Sequence, residues 1–221
     1  MSTAAVTEPR EQEADDARRR WDRFSRHYDR QLWLERSAVS SAVELLAPGP
    51  DERCLDLGTG TGEVLRRLAR RPDAPRSVLG IDFSAAMLDH VDALPAAWSL
   101  RIADVRALPL PNASFDAASA SYLLHLLAPA DLPLALAEIH RVLRPGGRLV
   151  TVTPAIPPGG PARPLAAALD GLAARRPERY GGLRALDPAP ALERAGFELI
   201  TSRWNLRGYP SLCVRSRAQL R

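Results

Sequence analysis

The chain contains no lysine: all 30 of its Lys/Arg positions are arginine. A Gly-Lys-Ser/Thr step is therefore missing, and with it any Walker-type phosphate loop. Cysteine is scarce, with Cys54 and Cys213 each inside an apolar, strand-like run. A disulfide framework or a thiolate metal centre needs more partners than two distant thiols. Both are expected to be buried thiols in a reducing cytoplasm, and no metal site is expected. Aromatic residues make up only 5% of the chain. Stacking platforms for unpaired bases are correspondingly few, no appended RNA-binding module is visible, and no nucleic-acid partner is expected. No apolar run approaches the ~20 residues that span a bilayer. The first residues are polar and acidic, without the apolar stretch of a signal peptide. A cytoplasmic protein without a membrane span is the expectation.

What is present is an ordinary globular composition. The chain has 221 residues, 46% of them hydrophobic, enough for one domain and its core. The net charge of +4 is unevenly spread: residues 155–221 hold 11 arginines against 5 acids. Such a basic third suits an acidic substrate, a membrane surface or nucleic acid, or is simply a solvated face; the solvated face is the preferred reading.

The chain is organised around Cys54-Leu55-Asp56-Leu57-Gly58-Thr59-Gly60-Thr61-Gly62-Glu63. A short apolar run ends in an acid, turns through three glycines at alternate positions, and leads into a helical pattern. That order reads as strand, tight loop and helix start, where a ligand can approach bare backbone and free N–H groups. It is not the dinucleotide fingerprint G-x-G-x-x-G, because the third glycine comes one position early and Glu63 stands where glycine is required.

The run resembles the first motif of class I S-adenosylmethionine-dependent methyltransferases, hydrophobic-(D/E)-hydrophobic-G-x-G-x-G. Later segments follow that family in order: Gly80-Ile81-Asp82-Phe83-Ser84 with Met87, Ala103-Asp104-Val105, Ser114-Phe115-Asp116, and Leu143-Arg144-Pro145-Gly146-Gly147-Arg148-Leu149. The likeness covers residues 20–154 and is nearest to the branch with the ubiquinone and menaquinone C-methyltransferases. It implies S-adenosyl-L-methionine as cofactor and S-adenosyl-L-homocysteine as product. It implies a cofactor site built from Asp56, Gly58, Thr59, Gly60 and Gly62. Asp82 would take the ribose hydroxyls, Phe83 and Met87 would pack the adenine faces, and Asp104 with the Val105 N–H would meet the adenine edge. Ser121 would lie at the C-terminal end of the fourth strand. Tyr28, from a Tyr28-Asp29 pair, would contact the methionine end, unless it belongs only to the aromatic stripe Trp21, Phe24, Tyr28. His125 matches a histidine that many small-molecule members carry near the transferred methyl, where an imidazole can take a proton from a hydroxyl or enolisable carbon; a packing histidine is the alternative. The (Asn/Asp)-Pro-Pro-(Tyr/Phe) run of base- and glutamine-modifying members is missing. His140, between Glu138 and Arg141, reads as a surface residue.

The expected organisation is a disordered tail over 1–16 and one domain over 17–221. Residues 17–50 would form a helical cap and 155–187 a substrate-side insertion. The expected fold is α/β: a Rossmann-like, seven-stranded, mostly parallel sheet with one antiparallel edge strand and helices on both faces. Strands are expected over 53–57, 76–81, 98–103, 115–121 and 148–152, with a final pair over 197–204 and 209–214. Helices are expected from about Leu32 to Leu46, over 61–71, near 165–175 and over 189–195, with another N-capped by Asp131 and running to Leu143. The reading is methyl transfer to O, C or N of a small-molecule acceptor, a secondary metabolite or quinone-like compound, by a monomer or homodimer. RNA or protein methylation, or cofactor binding without transfer, are the alternatives.

Overall fold

Strands and helices alternate along the chain in the computed structural model, which describes residues 32–176 and 182–220. The expected tail, the Trp21/Phe24/Tyr28 stripe and the Tyr28 contact lie outside those residues. The order is α1 (Leu32–Leu46), β1 (Arg53–Leu57), α2 (Glu63–Ala69), β2 (Ser77–Asp82), α3 (Ala85–Leu88), β3 (Ser99–Ile102) and β4 (Phe115–Ser121). A 3₁₀ turn (Leu124–Leu126) follows, then α4 (Leu132–Val142), β5 (Leu143–Pro154), α5 (Ala162–Arg175), α6 (Ala189–Arg194), β6 (Phe197–Asn205) and β7 (Ser211–Ala218).

The seven strands form one sheet in the order β3-β2-β1-β4-β5-β7-β6. β1 to β5 run parallel. β7 alone is reversed, lying between β5 and the edge strand β6. Strand order reverses between β1 and β4, so the crevice at the C-terminal ends of these two strands is the switch point where ligands sit in open α/β sheets.

One core joins the sheet to α4 and α6 through Leu57, Leu124, Leu136, Ile139, Leu149 and Leu192. The other joins the opposite face to α1 and α2 through Val39, Leu46, Cys54, Leu65 and Val150. Each fully buried leucine contributes roughly 1.5–3 kcal/mol. β4 has little bulk, and Ala117, Ala118 and Ala120 are wholly buried, which lets both layers approach it closely. The two cysteines are buried and free. α1 ends at Leu46, where the Arg148 guanidinium from β5 donates to the Leu46 and Ala47 carbonyls and pairs with Glu52.

Three expectations need correction. His140 is buried: its Nε2 lies 3.2 Å from the Gly196 carbonyl and its ring stands edge-on to Phe197. Asp131 occupies the position before α4 without capping it through its side chain, because its carboxylate pairs with Arg106 at 2.8 Å. β5 begins five residues early, since Leu143 already pairs with Phe115. Among the described residues, no helix is long and apolar enough to cross a membrane.

Candidate active site

The loop after β1 is tied down at every step. Gly58, Gly60 and Gly62 all have positive φ (66°, 54° and 86°), which L side chains rarely adopt. The Thr59 N–H donates to the Ile81 carbonyl at 3.0 Å, and the Thr59 hydroxyl to the Asp56 carbonyl at 3.0 Å. The Gly60 N–H donates to Asp82 Oδ2 at 2.9 Å, while Asp82 Oδ1 takes the Ser84 N–H at 3.0 Å. Asp82, at the end of β2, thus grips the glycine loop itself. Gly58 is required by packing as well as by conformation: a Cβ there would sit 3.1–3.4 Å from the Leu123 side chain.

Asp56 is strongly perturbed by burial. It is 2% exposed, and the Ser119 hydroxyl from the neighbouring strand donates to its Oδ1. Burial pushes its carboxyl up to about 7, against the pull of Ser119 and Thr59, and the nearby Asp82 charge adds to the rise. The sequence marked Asp56 but passed over Ser119, whose only signal was a lone hydroxyl in an alanine run.

The chain turns sharply after β4. Tyr122 has φ of 56°, unusual for an aromatic residue. Its N–H donates to Val152 at 2.8 Å, and its hydroxyl lies 2.8 Å from Ser211 Oγ. The twist lays Leu123 over Gly58 and seats His125 in the 3₁₀ turn. His125 is buried, and burial, aided by the Arg184 charge, lowers its imidazole to about 3. It is therefore held neutral. Arg184, from the 155–187 segment, donates to the carbonyls of His125 (3.4 Å) and Leu127 (3.0 Å), a link that sequence reading missed.

The adenine-side expectations divide. Phe83 is half-buried beside Asp82, whereas Met87 and Val105 turn their side chains inward at 2% and 8% exposure. Asp104 takes Arg106 in a two-pronged pair, with contacts of 2.6–3.0 Å from the guanidinium and 2.8 Å from the Arg106 N–H. Arg106 also bridges to Asp131, an arrangement with no local sequence signature.

Six buried side-chain atoms lack a hydrogen-bond partner among the described residues, and four belong to β1, β4 or the turns that follow them: Asp56 Oδ2, Thr61 Oγ1, Ser121 Oγ and His125 Nδ1. Each orphaned group costs on the order of 1–3 kcal/mol, so such a set at the switch point fits a polar ligand that satisfies them. No group of residues that could hold a metal ion is found among the described residues. A separate cleft of about 620 Å³, lined by Ile156, Leu186, Leu199, Trp204 and Leu212, includes none of the expected site residues.

Comparison with known proteins gives the same picture. A family described as a methyltransferase domain matches residues 54–147, from the start of β1 into β5. Over those residues the chain is similar to methyltransferase domains. The demethylmenaquinone methyltransferase of Thermus thermophilus is 38% identical over 123 residues, covering 54% of this chain and 54% of its own. The chain spans about half the length of the curated relatives it matches. A chain of the complex between the Haloferax volcanii Trm112 methyltransferase activator and a methyltransferase superposes with a TM-score of 0.73 at 17% identity, covering 90% of this chain and 98% of that one. The 1,6-didemethyltoxoflavin-N1-methyltransferase of Burkholderia thailandensis gives 0.66 at 21% identity, covering 93% and 89%. These structural likenesses show the fold alone, a Rossmann-like α/β sheet with the strand order described above.

Proposed function

We propose that the protein binds S-adenosyl-L-methionine at the C-terminal ends of β1, β2 and β4 and transfers its methyl group to a small-molecule acceptor. The observation that carries this reading is the set of four orphaned polar atoms beside a glycine loop gripped by Asp82. The cofactor supplies an electrophilic methyl on a sulfonium that leaves readily. The chain's own task is to bind, orient and exclude water. Asp82 accepts the ribose hydroxyls, Gly58 to Gly62 offer bare backbone, and Asp56 Oδ2 and Ser121 Oγ face the methionine end. Phe83 lies along the adenine, and Asp104, held by Arg106, borders its edge. His125 stays neutral and offers Nδ1 as a hydrogen-bond acceptor to the incoming acceptor; an imidazole lowered this far is a weak base near neutrality. Arg184 reaches the His125 turn, and the described residues 155–176 and 182–187 wall the acceptor side, with α1 as the other wall.

The named relatives act on small molecules, demethylmenaquinone and 1,6-didemethyltoxoflavin by their names. A small-molecule acceptor is also supported by the basic C-terminal third. Arg184 serves the His125 turn, Arg203 pairs with Glu44, and Arg163 and Arg194 bond to nearby carbonyls. These four arginines have partners within the protein.

Titration calorimetry tests the reading. Wild type is expected to bind S-adenosyl-L-homocysteine at micromolar concentration. Asp82→Ala should weaken binding by about 30-fold or more, the order expected for lost hydrogen bonds to a charged group and a loosened loop. A folded wild type that takes up neither cofactor nor product would remove the proposal.

A further inference from the structure

We infer that Ser119 is a positioning residue for the cofactor: through its hydroxyl, β4 holds the Asp56 carboxylate so that its second oxygen is presented to a cationic donor of the cofactor. The inference rests on the cofactor reading above. Asp56 and Ser119 are register partners on β1 and β4, so their side chains leave the sheet on the same face. The Ser119 hydroxyl donates to Asp56 Oδ1, and Asp56 Oδ2 is buried with no partner. The Thr59 hydroxyl goes instead to the Asp56 main-chain carbonyl, and the Gly60 N–H goes to Asp82. No described residue forms an ion pair with Asp56.

The charged surroundings make the hydroxyls near Asp56 matter, and of the two that lower its carboxyl, Ser119 and Thr59, Ser119 pulls harder. From β2, Asp82 opposes the Asp56 charge. On the same strand, burial pushes the Cys54 thiol up to about 12, so it stays neutral and lends no charge. Ser119 is thus the larger of the two hydroxyl influences that favour the ionised carboxylate, and the one whose hydrogen bond falls on a carboxylate oxygen and fixes its rotation. S-adenosylmethionine carries an α-ammonium group, a cationic donor of the kind an orphaned carboxylate oxygen calls for. Next along the same face of β4, Ser121 Oγ is buried and also without a partner. The strand therefore alternates fully buried alanines towards the α4 core with hydroxyls towards the site.

A purely space-filling serine, like its alanine neighbours, makes a different forecast. The test titrates S-adenosyl-L-homocysteine into wild type and Ser119→Ala at pH 6, 7.5 and 9, with melting of the ligand-free proteins across the same range. At pH 7.5 the variant should bind about tenfold more weakly, as for a lost hydrogen bond to a charged group. The pH at which its affinity is half-developed should move up by about one unit, because the carboxylate has lost its stabilising donor. Ser119→Cys, which keeps the volume with a weak S–H donor, should fall between the two. Unchanged affinity, or weakening by one factor at every pH with an unmoved midpoint, would overturn the inference and leave Ser119 a packing residue. If wild type bound no cofactor, the function itself would fall. The ligand-free melting profiles would still show whether Ser119→Ala displaces the Asp56 titration, so the two failures are distinguishable.

Discussion

Asp56→Asn is expected to bind S-adenosyl-L-homocysteine at least about 100-fold more weakly than wild type, and yet to melt at a higher temperature at pH 8. The first effect follows from removing a buried negative charge that faces a cationic ligand group. The second follows from the sign of the shift. The carboxyl stands at about 7 in the folded protein against an ordinary value of 3.8. Below about pH 4 it is protonated in both states and costs the fold nothing. As pH rises from about 4 to about 7 the unfolded chain ionises first, so stability is lost across that window and the loss is complete above it. The penalty is at most on the order of 4 kcal/mol. Asparagine keeps the acceptor for Ser119 but buries an unpaired amide donor, costing ~1–3 kcal/mol. The net gain at pH 8 is therefore ~1–3 kcal/mol, a rise of roughly 2–8 °C for a domain of this size. At pH 4 the advantage should vanish or reverse. Calorimetric melting of both proteins at the two pH values decides it; a variant less stable at pH 8, or a difference independent of pH, would contradict the account.

Gly208→Ala should be the most damaging single methyl in the chain. Gly208 turns between β6 and β7 with φ of 83°, and a Cβ there would lie 2.0 Å from the Leu34 carbonyl oxygen and 2.7–2.8 Å from the Leu34 carbonyl carbon and Cα. These atoms are helix backbone and have no rotamer by which to retreat. Left-handed strain of about 1–2 kcal/mol adds to the collision. A loss above ~3 kcal/mol, and a fall in melting temperature of about 6 °C or more, is expected in thermal or urea unfolding. Gly159→Ala is the control, since nothing lies within 4 Å of its Cβ position and it should stay within ~0.5 kcal/mol of wild type. Equal unfolding of the two variants would refute the steric argument.

Local signals in the sequence placed what local signals govern. β1 and β4 have the expected limits, because an acid-glycine loop and a proline-asparagine turn bracket their apolar runs. The helix expected over 61–71 shortened to Glu63–Ala69, since left-handed Gly62 sets its start. Long-range partners left no such trace. His140 looked exposed between charged neighbours, yet its helical face meets the Gly196–Phe197 corner, 56 residues away in the chain. Ser119 was read as one more small residue, although its register with Asp56 gives it a role. Asp104 was expected to be open to a ligand, and only folding brings Arg106 across both it and Asp131. The glycine loop, Asp56 and Asp82 were legible because the backbone there demands particular residues. The hydroxyls and guanidinium groups that tune them were not, because many residue types satisfy the strand pattern equally well.

The Arg148 clamp has a consequence for the order in which the chain becomes structured. α1 is the first described helix, but its C-terminal carbonyls wait for a residue about 100 positions later. Its middle waits longer still: the Ser37 and Ser41 hydroxyls bond to Asn205, and the Ala38 carbonyl meets the Cys213 thiol, 175 residues on. During synthesis β1, β2 and β4 can pair and α1 can begin to pack on α2, but its Arg148, Asn205 and Cys213 partners are still to come, so its docking completes last although it is made first. These bonds tie α1 to the C-terminal hairpin. Slow-exchanging amides of α1 should lose their protection together with those of β7, and trimming the last strand should unfasten a helix at the other end of the chain.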